Sequence, residues 1–299
     1  MTHHFFSPHR DDAILTFGGH ITNLIARNES VKVHVIFGRD GYLRPIFLDK
    51  LRQQKINHPH LKKLILLLDF DRAVYEQKID KLLQDDTETS LLELGILIRQ
   101  LEERAVAKKT GYELHEYDFF CAFPLRGYKK FNETLKEDDY TSQKRLLVEE
   151  SPILSQLLNP SKIKSSDDVK LYFPTGVGGH PDHIIMAKIG LNIASAFPDK
   201  VVFGQDLPYG LVQEWFCKSP LPFEKMEKNI VDINNSLQNK VSLLSYYESQ
   251  LSDEDMRLAK IYPQHLGDLI SREYKLGGDF ASLVDNNIPV EIQYKFANV

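Results

Sequence analysis

The stretch FFSPHRDDAILTFGG, residues 5–19, decides how the chain is read. Two phenylalanines lead through Ser7 and Pro8 to His9, Arg10 and the adjacent carboxylates Asp11 and Asp12, and an apolar run closes on Gly18 and Gly19. Residues 4–7 predict a short buried strand. From Asp12 to about Arg27, Ile14, Leu15, Phe17, Ile21, Leu24 and Ile25 recur at helical spacing. Asn28, Glu29 and Ser30 make a turn. VKVHVIF at 31–37 is β-branched, alternates at first and is ended by Gly38, which predicts a strand. Strand, loop, helix, strand is the βαβ signature of a parallel sheet.

Working outward, LLELGILIRQLEERAVAKKT at 91–110 predicts a helix stopped by Gly111, and 112–120 contains the next strand. Residues 42–90 read as an inserted irregular or helical excursion, with 61–68 ambiguous between helix and strand. Residues 130–168 read as a variable, polar loop region holding a helix around 141–158. VKLYFP at 169–174 is a strand, followed by TGVGG at 175–179, a helix over 181–196 and a strand over 201–203. A further helix covers 234–251, and the tail from 252 to 299 is mixed. The expected fold is α/β: one Rossmann-like domain over 1–299, a mostly parallel sheet flanked by helices, with insertions. In such sheets ligands gather beyond the carboxyl ends of the strands, where both 7–12 and 174–183 fall.

Composition bounds the function classes. A chain of 299 residues that is 42% hydrophobic and 26% charged suits an ordinary globular protein with a sizeable core. A net charge of -5 gives no footprint for nucleic acid or an anionic membrane. The longest apolar runs, such as Leu64 to Leu68, are too short to span a bilayer. No signal peptide is visible, and Cys121 and Cys217 are the only cysteines, so a cytoplasmic, reducing compartment is expected.

The second telling stretch is GGHPDH, Gly178 to His183, which also follows a predicted strand and opens a predicted helix. Two such loops at one sheet edge bring His9, Asp12, His180 and His183 into reach of one another. Imidazole and carboxylate ligands suit zinc, and a catalytic zinc usually keeps one position open for water. The ion lowers the pKa of that water to roughly 7. A nearby carboxylate can then take the proton, and a second imidazole can stabilise an oxyanion. Each loop alone has a plainer explanation. Asp11 and Asp12 suit a helix cap or first turn, and His180 and His183 suit a surface turn. Both loops together favour the metal site.

SPHRDDAILTFGG, Ser7 to Gly19, resembles the first motif of the PIG-L, or LmbE-like, de-N-acetylases, usually His-Pro-Asp-Asp with a glycine pair after it. PTGVGGHPDH, Pro174 to His183, resembles the second motif, His-x-x-His. RQLE at 99–102, DFFCAFPLRGY at 118–128, FGQDLPY at 203–209 and the helix ending in YYESQ at 246–250 are similar to further family segments. The resemblance implies His9, Asp12 and His183 as zinc ligands, and Asp11 as the base acting on zinc-bound water. It implies His180 as the group that steadies the oxyanion, and Asp182 as a carboxylate orienting a histidine. The implied reaction removes an N-acetyl group, commonly from a glucosamine-type sugar or its conjugate.

Arg10 stands where the family has proline, and is a candidate contact for an anionic substrate group. Arg126, Asp206 and Tyr209 are further candidate substrate contacts. His58 and His60 mimic a metal pair but are expected in a solvated loop, His3 and His4 in an exposed terminus, and His20 and His34 in packing positions. No H-E-x-x-H, G-x-x-x-x-G-K-[ST] or G-x-S-x-G motif is present. The competing readings are an amidase for another acyl group, a degraded member that only binds carbohydrate, and a metal phosphoesterase. The last usually needs two metals and more carboxylates.

Overall fold

The structure is a computed structural model. It describes all residues except 124, 131–132, 165–166, 208, 210–212, 262, 264–288 and 297–299, and not the side chains of 213–215. Most of the tail expected to be mixed therefore lies outside the described residues, as do Pro124 and Pro208 of the quoted family segments.

The sheet has seven strands in the order β3-β2-β1-β4-β5-β7-β6. These are β1 (Thr2–Ser7), β2 (Ser30–Val35), β3 (Glu113–Glu116), β4 (Val169–Pro174), β5 (Val201–Gly204), β6 (Met226–Asp232) and β7 (Val290–Phe296). The first five run parallel, and β7 pairs antiparallel with both β5 and β6. The expected α/β sheet is thus present, with an antiparallel edge. Neither β6 nor β7 is among the strands the sequence reading identified.

Phe5 and Phe6 show how β1 sits centrally. Successive strand residues face opposite sides, so Phe5 stacks on Tyr172 at 4.2 Å in one core and Phe6 on Phe173 at 4.7 Å in the other. Each buried ring stabilises by about 1.5–3 kcal/mol, and the pair fixes the register that carries Ser7 to the sheet edge. Helix α1 (Asp12–Ala26) covers the first face. Gly19 lets it press close, since a Cβ there would lie 2.5 Å from Ile233 Cγ2. The buried Glu291 carboxylate of β7 accepts from Gly19 N at 2.8 Å, His20 N at 2.9 Å and Lys240 Nζ at 2.7 Å, tying the antiparallel edge to this helix.

The excursion after β2 is helical: α2 (Pro45–Gln54), α3 (Pro59–Leu68) and α4 (Arg72–Asp85) lead into the long α5 (Glu88–Thr110). Proline opens α2 and α3, Asp71 accepts from Ala73 N at 2.9 Å at the start of α4, and Thr87 caps α5. Residues 61–68 resolve to helix, their Leu61, Leu64 and Ile65 being buried together. The helix expected around 141–158 is two, α6 (Glu137–Glu149) and α7 (Pro152–Leu158), because Pro152 cannot continue the first. Helix α8 (Pro181–Ala194) follows β4 as expected. Helix α9 (Leu237–Leu244) stops well before 251. The chain leaves it so that Tyr247 reaches Glu103 at 2.6 Å and Ser249 reaches Glu102 at 2.6 Å.

Two expectations about histidines are corrected here. His3 and His4 are buried, not exposed: they lie in β1, His3 bonding Tyr172 at 3.0 Å and His4 bonding His34 at 3.0 Å. His58 and His60 are buried as well, and His60 bonds Glu102 at 2.8 Å. Among the described residues no helix is long and apolar enough to cross a membrane.

Candidate metal and catalytic site

β1 pairs with β2 on one side and β4 on the other, so the strand order reverses at β1 and β4, where an open α/β sheet forms its crevice. The loops leaving β1 and β4 meet there. Ser7 shapes the first: its hydroxyl donates to His9 O at 2.5 Å and accepts from Ala13 N at 2.9 Å. Gly178 shapes the second, with φ +97° in the left-handed region and the Tyr209 ring against it, 2.7 Å from where a Cβ would be.

His9 Nδ1 and His183 Nε2 both lie 3.1 Å from the same oxygen, Asp12 Oδ2. Their other nitrogens meet buried carboxylates: His9 Nε2 is 3.0 Å from Asp182 Oδ2, and His183 Nδ1 is 2.7 Å from Asp206 Oδ1. Burial alone would drive these imidazoles neutral. The neighbouring acidic groups win instead: Cys121, then Asp12 and Asp182, raise His9 well above its ordinary value, and Asp12, then Asp206, raise His183 to about 10. Asp12 is held well below the usual carboxylate range by His183 and His9, against its burial. The three donor atoms lie within 4.8 Å of one another. The donor set fits a divalent ion, since each imidazole already has a carboxylate behind it, the arrangement that orients metal-ligating histidines.

Asp11 begins α1 without capping it, so the cap explanation of this residue fails. Its Oδ1 accepts from Arg99 at 2.9 Å. Burial raises its pKa, Arg99 opposes the rise and Asp12 adds to it. His180 is the N-cap of α8, and its Nδ1 accepts from Asp182 N at 3.2 Å. Burial, then His9, lowers its pKa to about 3, so the ring is neutral at pH 7. A neutral ring accepting at Nδ1 carries its proton on Nε2, which makes that atom a donor. Its ring stands 4.8 Å from that of His9 and 5.4 Å from that of His183.

Several predicted substrate contacts have other duties. Arg10 is wholly buried, its guanidinium bonded to Gly38 O and, at 2.7 Å, to Asp40. It is a structural cation and not an exposed contact, because its guanidinium is held by Gly38 O and Asp40, past the end of β2, while His9 and Asp12 meet His183 at the crevice. Arg126 donates to Asp182 Oδ1 at 2.6 Å and to Asp139 Oδ2 at 3.0 Å, and so fixes the carboxylate behind His9. Asp206 is buried behind His183. Tyr209 stays at the crevice, its ring edge-on to His183 at 6.5 Å between centroids.

Sequence reasoning missed Arg99, Asp40 and Cys121. Arg99 joins Asp11 to Asp40, whose Oδ2 it meets at 2.8 Å, and Asp40 in turn holds Arg10. Asp40 carried a usable signal, since it follows a strand at the same sheet edge. Arg99, on the buried face of α5, carried only the weak one of a lone arginine among apolar residues.

Comparison with known proteins gives the class first. The fold is that of a deacetylase complexed with bog in the biosynthesis pathway of teicoplanin: TM-score 0.60 at 15% identity, covering 100% of this chain and 99% of that one. It is also that of N,N'-diacetylchitobiose deacetylase from Pyrococcus horikoshii: TM-score 0.50, 12% identity, 99% of this chain and 83% of the other. GalB, the 4-carboxy-2-hydroxymuconate hydratase from Pseudomonas putida KT2440, is similar too, at TM-score 0.52 and 12% identity over 100% and 97%. The fold therefore serves more than one chemistry. No curated protein matches the chain by sequence. Residues 4–194 match the PIG-L family, GlcNAc-PI de-N-acetylase, and the chain belongs to that family. It is a hydrolase of the deacetylase type, and deacetylases of this family are metalloenzymes.

Proposed function

We propose that this chain removes the acetyl group from an N-acetylglucosamine-type sugar or a conjugate of one, as a cytoplasmic enzyme formed by a single domain over 1–299. We infer that it holds Zn2+ with His9, Asp12 and His183. The observation that carries the reading is the convergence of two imidazole nitrogens on one Asp12 oxygen, with Asp11 and His180 beside them. When bound, zinc supplies Lewis-acid polarisation of an amide carbonyl, a poor electrophile.

The chain's own groups supply the rest. Asp11, held by Arg99, takes the proton of the attacking water. His180 points its Nε2–H at the oxygen that becomes negative, a contact worth more in the transition state than in the ground state. The leaving amine must be protonated, and Asp11, having gained a proton, is placed to return it. Asp182 and Asp206 hold the two ligand histidines in one tautomer each. Tyr209 forms part of the substrate wall. The teicoplanin-pathway and chitobiose neighbours, both deacetylases, support an N-acetylated sugar or glycoconjugate as substrate. No nucleic acid or membrane enters the reaction.

The test is an acetate-release screen across N-acetylated amino sugars and their conjugates with zinc supplied, run beside Asp11→Asn. Release by the wild type and none by the variant is expected. Sugar binding without release, or equal release by both, would overturn the mechanism.

A further inference from the structure

The His9 ring meets a second donor set on its far side. Its Nε2 lies 3.0 Å from Asp182 Oδ2 and 3.4 Å from Cys121 Sγ, and the His180 ring stands against it. Donor atoms of His9, Cys121, His180 and Asp182 all lie within 4.8 Å of one another, and all four residues are buried or nearly so. Two imidazoles, a thiol and a carboxylate are the ligands that tetrahedral, borderline-soft ions select. We propose that His9 serves two alternative metal sites, one on each ring nitrogen. A thiophilic divalent ion, Cd2+ or zinc in excess, takes the Cys121 side and thereby disarms the site of Asp12 and His183.

The geometry provides for this second set. Arg126 occupies Asp182 Oδ1 and leaves Oδ2, which also accepts from Ala122 N at 2.9 Å, turned toward His9. The Cys121 thiol donates to Phe123 O at 3.2 Å, a bond it gives up when the ion binds. The sulfur–metal bond forms as the thiol proton leaves for solvent, with no change of oxidation state. The resulting thiolate and the Asp182 carboxylate together neutralise a dication, which a buried site requires. A neutral imidazole has a single in-plane lone pair. With that pair on the ion at Nε2, the ring proton sits on Nδ1 and faces Asp12, so His9 cannot serve the first set as well. His180 is drawn into the same coordination and away from the oxyanion. An ion here therefore inhibits twice over, while making no contact with Asp12 or His183.

This inference rests on His9 being a ligand in the proposed zinc site, and its test has a readout that does not need turnover. Metal-free full-length protein is titrated with Cd2+ while the near-ultraviolet thiolate-to-cadmium charge-transfer band is followed. Wild type, Cys121→Ser and His183→Ala are compared after circular dichroism confirms that each is folded. Acetate release with zinc present is measured against Cd2+ for the wild type and Cys121→Ser, each referred to its own cadmium-free rate.

The expected result is a band saturating at about one ion per chain in the wild type, retained in His183→Ala and lost in Cys121→Ser, which still carries Cys217. Cadmium inhibition of Cys121→Ser should need about tenfold more ion or above, the least that removal of a group bearing on a metal costs. No band in the wild type, a band that survives in Cys121→Ser, or equal cadmium sensitivity of the two would each overturn the proposal. An unaltered band in a protein that deacetylates nothing would overturn the deacetylase substrate reading and leave this one standing.

Discussion

Two places in the chain begin a helix in the same way and end in different chemistry. At 58–60 and at 180–183 a histidine precedes a proline, and each histidine is an N-cap. His58 accepts from His60 N at 3.3 Å, and His180 from Asp182 N at 3.2 Å. The proline sits at the first helical position, where its missing N–H costs nothing. The difference lies in the next histidine. His183 follows His180 by three residues and so shares its helix face, which looks into the crevice. There Asp12 Oδ2 and His9 meet it. His60 follows His58 by two, and packs inward against Glu102 and Glu248 at 2.8 and 3.4 Å. Among the described residues no metal-type donor group includes His58 or His60. Two carboxylates around a histidine are thus not enough. A second imidazole must aim at the same oxygen.

Substitutions can break this comparison at either end. The largest effect is expected from Asp11→Asn, which keeps the three metal donors and removes the base. Acetate release should fall by about 10²–10⁴-fold, with zinc content by elemental analysis unchanged. Next is Arg10→Met, which leaves Asp40 to Arg99 alone and the Gly38 carbonyl without its donor. A loss of about 1–3 kcal/mol in urea unfolding is expected, whereas a substrate contact would leave stability alone and raise KM. Asp206→Asn should weaken zinc binding by about 10–100-fold in competition with a chelator, because His183 Nδ1–H then faces a neutral amide in place of the carboxylate that orients the ring and raises its basicity. His60→Gln should cost about 1–3 kcal/mol of stability through the buried Glu102 left under-satisfied, with zinc affinity unchanged. Loss of zinc in His60→Gln would erase the distinction between the two histidine pairs.

A pH series sharpens the same contrast. His183 is raised above its unfolded value of 6.5 to about 10 in the metal-free protein. The stability it contributes is fully present below 6.5 and is lost as pH climbs toward 10. Zinc needs the ring deprotonated, so binding releases its proton and apparent affinity rises across that window. The gap in melting temperature between zinc-loaded and metal-free protein should therefore widen from pH 6.5 upward. A gap independent of pH would remove His183 from the ligand set.

The central sheet was legible because local patterns carry it. Phe5 and Phe6, the helical spacing from Ile14 to Ile25 and the β-branched run at 31–37 each announce their element within a few residues. β7 was not, since VEIQYKF gains its place from distant partners, Gly19, His20 and Lys240 on Glu291, and from antiparallel pairing with a strand some sixty residues earlier. The motif residues were legible as types in order. Their directions were not. Arg10, between His9 and Asp11, was read toward the substrate and turns the other way, to Gly38 and Asp40. Asp206 and Arg126 were read as contacts to a ligand and are contacts to His183 and Asp182. Spacing along a loop says which residues reach the crevice edge, and the partners waiting behind them decide which way each one faces.

The most direct test of the account is a zinc titration of the chelator-treated protein, with acetate release followed on a substrate from the screen. Activity should be absent without metal, rise linearly and break at about one zinc per chain, with His183→Ala showing no such break. Full turnover in the metal-free protein, or an unchanged titration in His183→Ala, would contradict it.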